Sequence, residues 1–215
     1  MYSFVIPCYN SSESIRHVVE LTMEEMEKMN RREFEFVLVN DYSSSTKTMP
    51  VLKKLAEEYP CVTVLNLAKN AGQHNAIMAG LNYAKGDILI GMDDDMQTHP
   101  SQLPYLFEEL EKGYDIVYGY YPEKKHSAFR NFGSWVNYIS VRILIGKPKE
   151  LKTSSYWVAR KFVRDSVIEY QAPYAYIQGL FLRTTRNISC IPQKAYSHAI
   201  PPSNAHLHDS DHSAH

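Results

Sequence analysis

Five short apolar or β-branched runs alternate with four stretches of helical periodicity in the first 119 residues, and this alternation constrains the fold more than any single residue. The runs are Tyr2–Ile6, Phe34–Val39, Val62–Leu67, Asp87–Met92 and Tyr114–Gly119. Near-continuous apolar strands are buried on both faces, as strands of parallel sheets are. Between them, Ile15, Val18, Val19, Met23 and Met26 predict a helix to about Met29, capped by Asn10, Ser11 or Ser12. Val51, Leu52, Leu55 and Ala56 mark a second helix within Thr46–Tyr59, and Gln73–Ala84 reads as a third. Leu103, Leu106, Phe107 and Leu110 line a fourth, with Pro100 at its first position and Gly113 at its end. The order predicts an α/β fold: a mainly parallel sheet with helices on both faces and right-handed crossovers.

Each strand should end in a polar loop, and a parallel sheet gathers such loops along one edge. The loops are Pro7-Cys8-Tyr9-Asn10, Asn40-Asp41, Asn70-Ala71-Gly72-Gln73 and Asp93-Asp94-Asp95-Met96-Gln97. Three adjacent carboxylates repel one another, so the last loop calls for a reason. A hard-oxygen site for Mg²⁺ or Mn²⁺ supplies one, since such ions are held by one or two carboxylates plus substrate phosphates; a solvated acidic loop is the plain alternative.

Composition removes several classes. With 23 basic against 24 acidic residues, the chain offers no general electrostatic footprint for nucleic acid. Cys8, Cys61 and Cys190 are widely spaced and odd in number, the pattern of reduced structural thiols in a cytoplasmic setting. No apolar run reaches the length of a transmembrane helix, and the N-terminus enters a strand without a signal-like segment.

Beyond Tyr120 the pattern loosens. Phe129 to Ile145 predicts a helix that is apolar nearly all round, either buried or lying on the inner face of a membrane beside flanking Arg and Lys. A short strand at Tyr156–Ala159, a helix at Lys161–Tyr170 and an apolar element at Ile177–Thr184 follow. The expected organisation is one domain over 1–191, then an irregular His- and Pro-rich tail over 192–215.

Taken together, IPCYN at Ile6–Asn10, VNDYSS at Val39–Ser44, NAGQHNAIMAG at Asn70–Gly80, MDDDMQTHP at Met92–Pro100 and YDIVYG at Tyr114–Gly119 are specific in their combination and order. The chain resembles the inverting nucleotide-sugar glycosyltransferases of the Rossmann-like GT-A fold, of the dolichol-phosphate mannosyltransferase and bacterial polyprenyl-phosphate sugar transferase type. The resemblance covers roughly residues 2–190. It implies that Tyr9 lies beside the nucleotide base, with Pro7 and Asn10 shaping the pocket. Asn40 and Asp41 would reach base or ribose. Many relatives carry Asp-Asp-Gly where this chain has Asn40-Asp41-Tyr42, so UDP and GDP both stay open. Asn70 and Gln73 would approach the nucleotide-sugar from a helix start, while His74 would make a satisfied polar contact. Asp93 and Asp95 match the D-x-D pair, with Asp95 and Gln97 as metal ligands, Asp93 toward ribose or metal, and Asp94 toward solvent.

The implied reaction displaces a nucleoside diphosphate from the anomeric carbon, with a divalent ion stabilising the leaving charge. A polyprenyl phosphate acceptor is already an anion and needs cations rather than a base; Arg130, Arg183, Arg186 and Lys194 are the candidates. Family members commonly continue into a basic segment and two transmembrane helices, where residues 193–215 differ. A catalytically silent nucleotide-sugar-binding protein and a transferase to a saccharide hydroxyl are the alternatives. A sugar nucleotidyltransferase lacks support, because no Gly-rich basic loop follows the first strand.

Overall fold

The computed structural model describes residues 1–96, 98–121, 148 and 150–193. Among the described residues, seven strands and six α-helices follow in chain order: β1 Tyr2–Cys8, α1 Ile15–Lys28, β2 Phe34–Asn40, α2 Thr48–Glu58, β3 Val62–Asn66, α3 Gln73–Tyr83 and β4 Ile88–Gly91, then α4 Leu103–Glu111, β5 Ile116–Tyr120, β6 Trp157–Arg160, α5 Lys161–Val167, α6 Ile177–Thr184 and β7 Ile188–Pro192. The strands form one sheet in the order β3-β2-β1-β4-β6-β5-β7, parallel throughout except β6. The α/β architecture expected from the alternation is therefore present.

Alternate residues of each strand point to opposite faces, and each face has its own apolar layer. Phe4, Ile6, Phe36, Leu38 and Ile90 pack with α1, α2 and α4 through Ile15, Val18, Leu52, Leu55, Leu106 and Phe107. Val5, Val37, Val39, Leu89 and Trp157 pack on the other side with α3, α5 and α6 through Ile77, Leu81, Val163 and Phe181. Gly80 lets α3 lie close against the sheet, because a Cβ there would run into the Val5 side chain.

Two local expectations are corrected, and one strand is added. The helix α1 is not capped by a side chain of Asn10, Ser11 or Ser12; it begins at Ile15, and the Ser11 carbonyl accepts from the Ser14 and Ile15 amides. Pro100 opens a 3-10 turn, Pro100–Gln102, with α4 starting at Leu103. The strand β7 was not anticipated. It pairs in parallel with β5 from Ile116↔Ile188 to Tyr120↔Pro192, and the buried Gln193 then donates from Nε2 to the Gly119 carbonyl at 2.6 Å.

The strand β6 enters antiparallel between β4 and β5, pairing Gly91↔Trp157. Trp157 is fully buried, and its indole fills the space that a side chain on Gly91 would occupy. The indole also meets Phe181 of α6 edge-on at 4.8 Å. The expected helix over 129–145 lies outside the described residues, as do Gln97, Arg130, Lys194 and almost all of the 192–215 tail. Among the described residues, no helix is long and apolar enough to cross a membrane.

Gly91→Ala is expected to push the indole out of place and destabilise the fold by about 1–3 kcal/mol, measured by urea unfolding. An unchanged midpoint would show that β6 can shift without loss.

Candidate active site

The loops after β1, β2, β3 and β4 meet at the carboxyl edge of the sheet, where strand order reverses between β1 and β4. They enclose a cleft of about 430 Å³ lined by Pro7, Cys8, Tyr9, Asp41, Asn70, Gly72, Gln73, Asp93, Asp94 and Asp95. Short side-chain-to-backbone bonds hold the loops to one another.

Asn10 has φ 60°, a left-handed conformation that Asn tolerates, and this turns its amide toward the β2 loop. Its N–H donates to Ser43 Oγ at 3.0 Å, and its Oδ1 accepts from the Ser45 amide at 2.9 Å. Asn40 is used in the same way: it donates to Asn66 Oδ1 at 2.7 Å and accepts from Ser43. Asp41 is 4% exposed, and its two carboxylate oxygens accept from the Ala71 amide at 2.7 Å and the Gly72 amide at 2.9 Å. Gly72 makes that possible, since φ 84° with ψ 155° is a region essentially reserved for glycine. Asn70 completes the tie by donating to the Asp41 carbonyl at 3.1 Å.

Across the crevice, Asp93 accepts from Gln73 Nε2 at 2.9 Å on Oδ1 and from the Ser155 hydroxyl on Oδ2. Asp94 accepts from the Tyr9 amide at 3.1 Å and so joins the β1 loop to the β4 loop. Burial pushes both carboxyls above the usual range; the neighbouring Asp95 adds to each, while the Ser155 and Gln73 donors to Asp93 and the Tyr9 amide on Asp94 oppose the rise. Burial, with Asp94 adding, also pushes the Cys8 thiol up, which favours its neutral form.

The structure thus brings Pro7, Tyr9, Asp41, Asn70, Gln73, Asp93 and Asp95 to one cleft. Asn10 and Asn40 stand behind it, holding the loops. Asp94 does not simply face solvent: Tyr9 occupies one of its oxygens. His74 is not a satisfied polar contact. Its ring meets Tyr176 edge-on at 5.3 Å, its Nδ1 is buried without a hydrogen-bond partner, and burial lowers its pKa toward a neutral imidazole.

Arg183 and Arg186 lie elsewhere. They are exposed residues just ahead of β7, and because β7 runs parallel to β5 they sit at the amino edge of the sheet, opposite the cleft. The basic residue that sequence reasoning passed over is Lys152, whose Nζ stands 4.5 Å over the ring of Tyr120 at the carboxyl end of β5. Ser155 was missed too; its signal is its position two residues ahead of Trp157, which only the β4–β6 register makes meaningful.

The donor set suits a hard cation, since Asp93 and Asp95 offer carboxylate oxygens to the cleft. Among the described residues, no cluster of three His, Cys, Asp or Glu is poised to enclose a metal by itself.

Asp41→Ala should free the Ala71 and Gly72 amides, destabilising the protein on the order of 2 kcal/mol and speeding hydrogen exchange at those two positions. A second expectation concerns pH. Because folding raises the Asp93 and Asp94 carboxyls, their contribution favours the fold below the unfolded carboxyl pKa and is lost as pH climbs through the elevated folded values. Asp93→Asn is therefore expected to raise the melting temperature near neutral pH and to lose that advantage toward about pH 4, followed by thermal melts across the range.

The description "Glycosyl transferase family 2" matches residues 3–170. An undecaprenyl-phosphate 4-deoxy-4-formamido-L-arabinose transferase of Edwardsiella ictaluri is 34% identical over 168 residues, covering 78% of this chain and 50% of that protein. Its counterpart in Pseudomonas syringae pv. syringae is 39% identical over 134 residues, covering 61% and 39%. The chain spans about half or less of the length of these relatives. Three solved structures share the fold. S. aureus TarS 1-349 aligns with a TM-score of 0.61 at 19% identity, over 91% of this chain and 59% of that one. The mannosyltransferase PcManGT from Pyrobaculum calidifontis in complex with GDP-Man and Mn²⁺ aligns at 0.55 and 18%, over 76% and 45%. Glucosyl-3-phosphoglycerate synthase from Mycobacterium tuberculosis with Mn²⁺, UDP-glucose and phosphoglyceric acid aligns at 0.58 and 16%, over 89% and 69%. A GT-A sheet with its strand order reversing beside an acidic loop, and a sequence match over most of its length, place this chain in glycosyl transferase family 2.

Proposed function

We propose that this chain is the donor-binding and catalytic region of an inverting, metal-dependent transferase that moves a sugar from a UDP- or GDP-sugar to a polyprenyl phosphate. The observation that carries the reading is the cleft itself, in which Asp93 and Asp95 face the loop of Tyr9 and the start of α3 across the reversal point of the sheet. The names of the relatives, which specify undecaprenyl phosphate, support the acceptor class and a role in the cell envelope. The Mn²⁺ complexes of the two structural neighbours support a divalent ion.

In this reading Tyr9, which is half exposed, offers its ring to the base, and Asn70, Gly72 and Gln73 line the path from base to phosphates. Asp93 turns toward the ribose and Asp95 toward Mg²⁺ or Mn²⁺; the ion would neutralise the charge that builds on the departing diphosphate. A phosphate oxygen of the acceptor forms the bond to the anomeric carbon from the face opposite the leaving group. The bond to the nucleoside diphosphate breaks with inversion, and no proton has to be removed. The described cleft suits an acceptor that is already ionised: beyond the acidic cluster its remaining carboxylate, Asp41, has both oxygens engaged. Lys152, at the same edge of the sheet, supplies positive charge for the acceptor phosphate, in place of Arg183 and Arg186. A lipid-linked acceptor places the working protein against the inner face of the membrane.

Titration calorimetry should show UDP or GDP binding in the presence of Mn²⁺. Radiolabelled donor should be transferred to undecaprenyl phosphate, with the rate falling about 100-fold in Asp95→Ala. Folded protein that binds neither nucleotide would sink the proposal.

A further inference from the structure

We infer that Ser155 is a positioning residue for Asp93, so that donor binding depends on the antiparallel strand β6 as well as on the acidic loop. The inference rests on the donor-site reading above for its effect on binding. The contact itself stands on geometry alone.

The argument begins with the register. Gly91 pairs with Trp157, and carrying the antiparallel ladder two residues further sets Ser155 opposite Asp93. The Ser155 hydroxyl there donates to Asp93 Oδ2, while Gln73 Nε2 donates to Oδ1 at 2.9 Å. One donor therefore comes from the segment leading into β6 and one from the first residue of α3, and they grip the carboxylate from separate parts of the chain. An ionised carboxylate has room for about four hydrogen bonds, so one acceptor position per oxygen stays open for a ligand, in a plane the two donors fix.

The neighbouring residue explains how Ser155 is held. Ser154 turns the other way: its hydroxyl lies 2.7 Å from the Gly119 carbonyl and 2.9 Å from the Tyr156 carbonyl, and it accepts from the Tyr156 amide at 3.1 Å. The Gly119 amide donates back to the Tyr156 carbonyl at 2.9 Å. Ser154 thus fastens the entry of β6 to β5, and Trp157 seated on Gly91 fastens it to β4. These contacts on either side fix the backbone at Ser155, from which its hydroxyl reaches Asp93.

The test compares Ser155→Ala with the conservative Ser155→Thr, using UDP and GDP with Mn²⁺ as probes. Outer partners of ligand-binding groups typically contribute about 10- to 100-fold. Ser155→Ala should therefore weaken nucleotide binding by about tenfold with an unchanged melting temperature, and Ser155→Thr should restore binding to about twofold of the parent. Binding by Ser155→Ala equal to the parent would overturn the inference. So would weakening that Ser155→Thr does not rescue, since that indicates a packing role. A crystal structure of Ser155→Ala is the independent arm: Asp93 in its original rotamer refutes the positioning role, and a rotated carboxylate supports it. If the parent protein binds neither nucleotide, the donor-site reading fails, and this crystallographic arm alone decides the role of Ser155.

Discussion

The seating of the Trp157 indole on Gly91 is the contact on which the rest of the structure depends. Glycine at that position leaves a hollow in the middle of the sheet, and the largest side chain available fills it. The match fixes the register of the sheet's antiparallel strand to the residue, since a slip of one would turn the indole to the opposite face. The segment that leads into β6 inherits that register, including the hydroxyl of Ser155 on Asp93. The apolar interior and the polar edge are thus one construction: burial of an aromatic ring sets the position of a carboxylate.

The cleft shows the opposite bias. Two carboxyls with pKa values raised by burial, beside a third, make an arrangement that folding alone would not favour. The surrounding residues restrain this repulsion without removing it. Neutral donors occupy part of each buried carboxylate, and Asp41 pins the start of α3 through two backbone amides.

Much of this was legible in the sequence, for physical reasons that differ between elements. Apolar runs such as Phe34–Val39 report burial on two faces, and loops after parallel strands must converge, so the cleft around Tyr9, Asp41, Gln73 and Asp93 could be assembled without coordinates. Ser155 could not, because its role comes from an antiparallel pairing with a segment more than sixty residues away. Arg183 and Arg186 looked like phosphate ligands because composition reports charge but no direction; the parallel strand after them puts them at the wrong edge. Asp94 was misread because a backbone amide, that of Tyr9, leaves no mark in the pattern of side chains. Strand β7 is short and ends in Pro192, so its apolar residues merged with the change of composition beyond them.

The parallel pairing of β7 also gives the molecule a polarity useful for tethering. The N-terminal residue lies beside Asp87, at the edge where the parallel strands begin, whereas Gln193 is locked to Gly119 and Tyr120, where they end. A fluorophore or an anchoring group joined just after Gln193 would be delivered to the carboxyl edge of the sheet, the edge along which the cleft opens. The same group placed ahead of Met1 would sit at the opposite, amino edge, so the two attachments would be separated by the length of the strands.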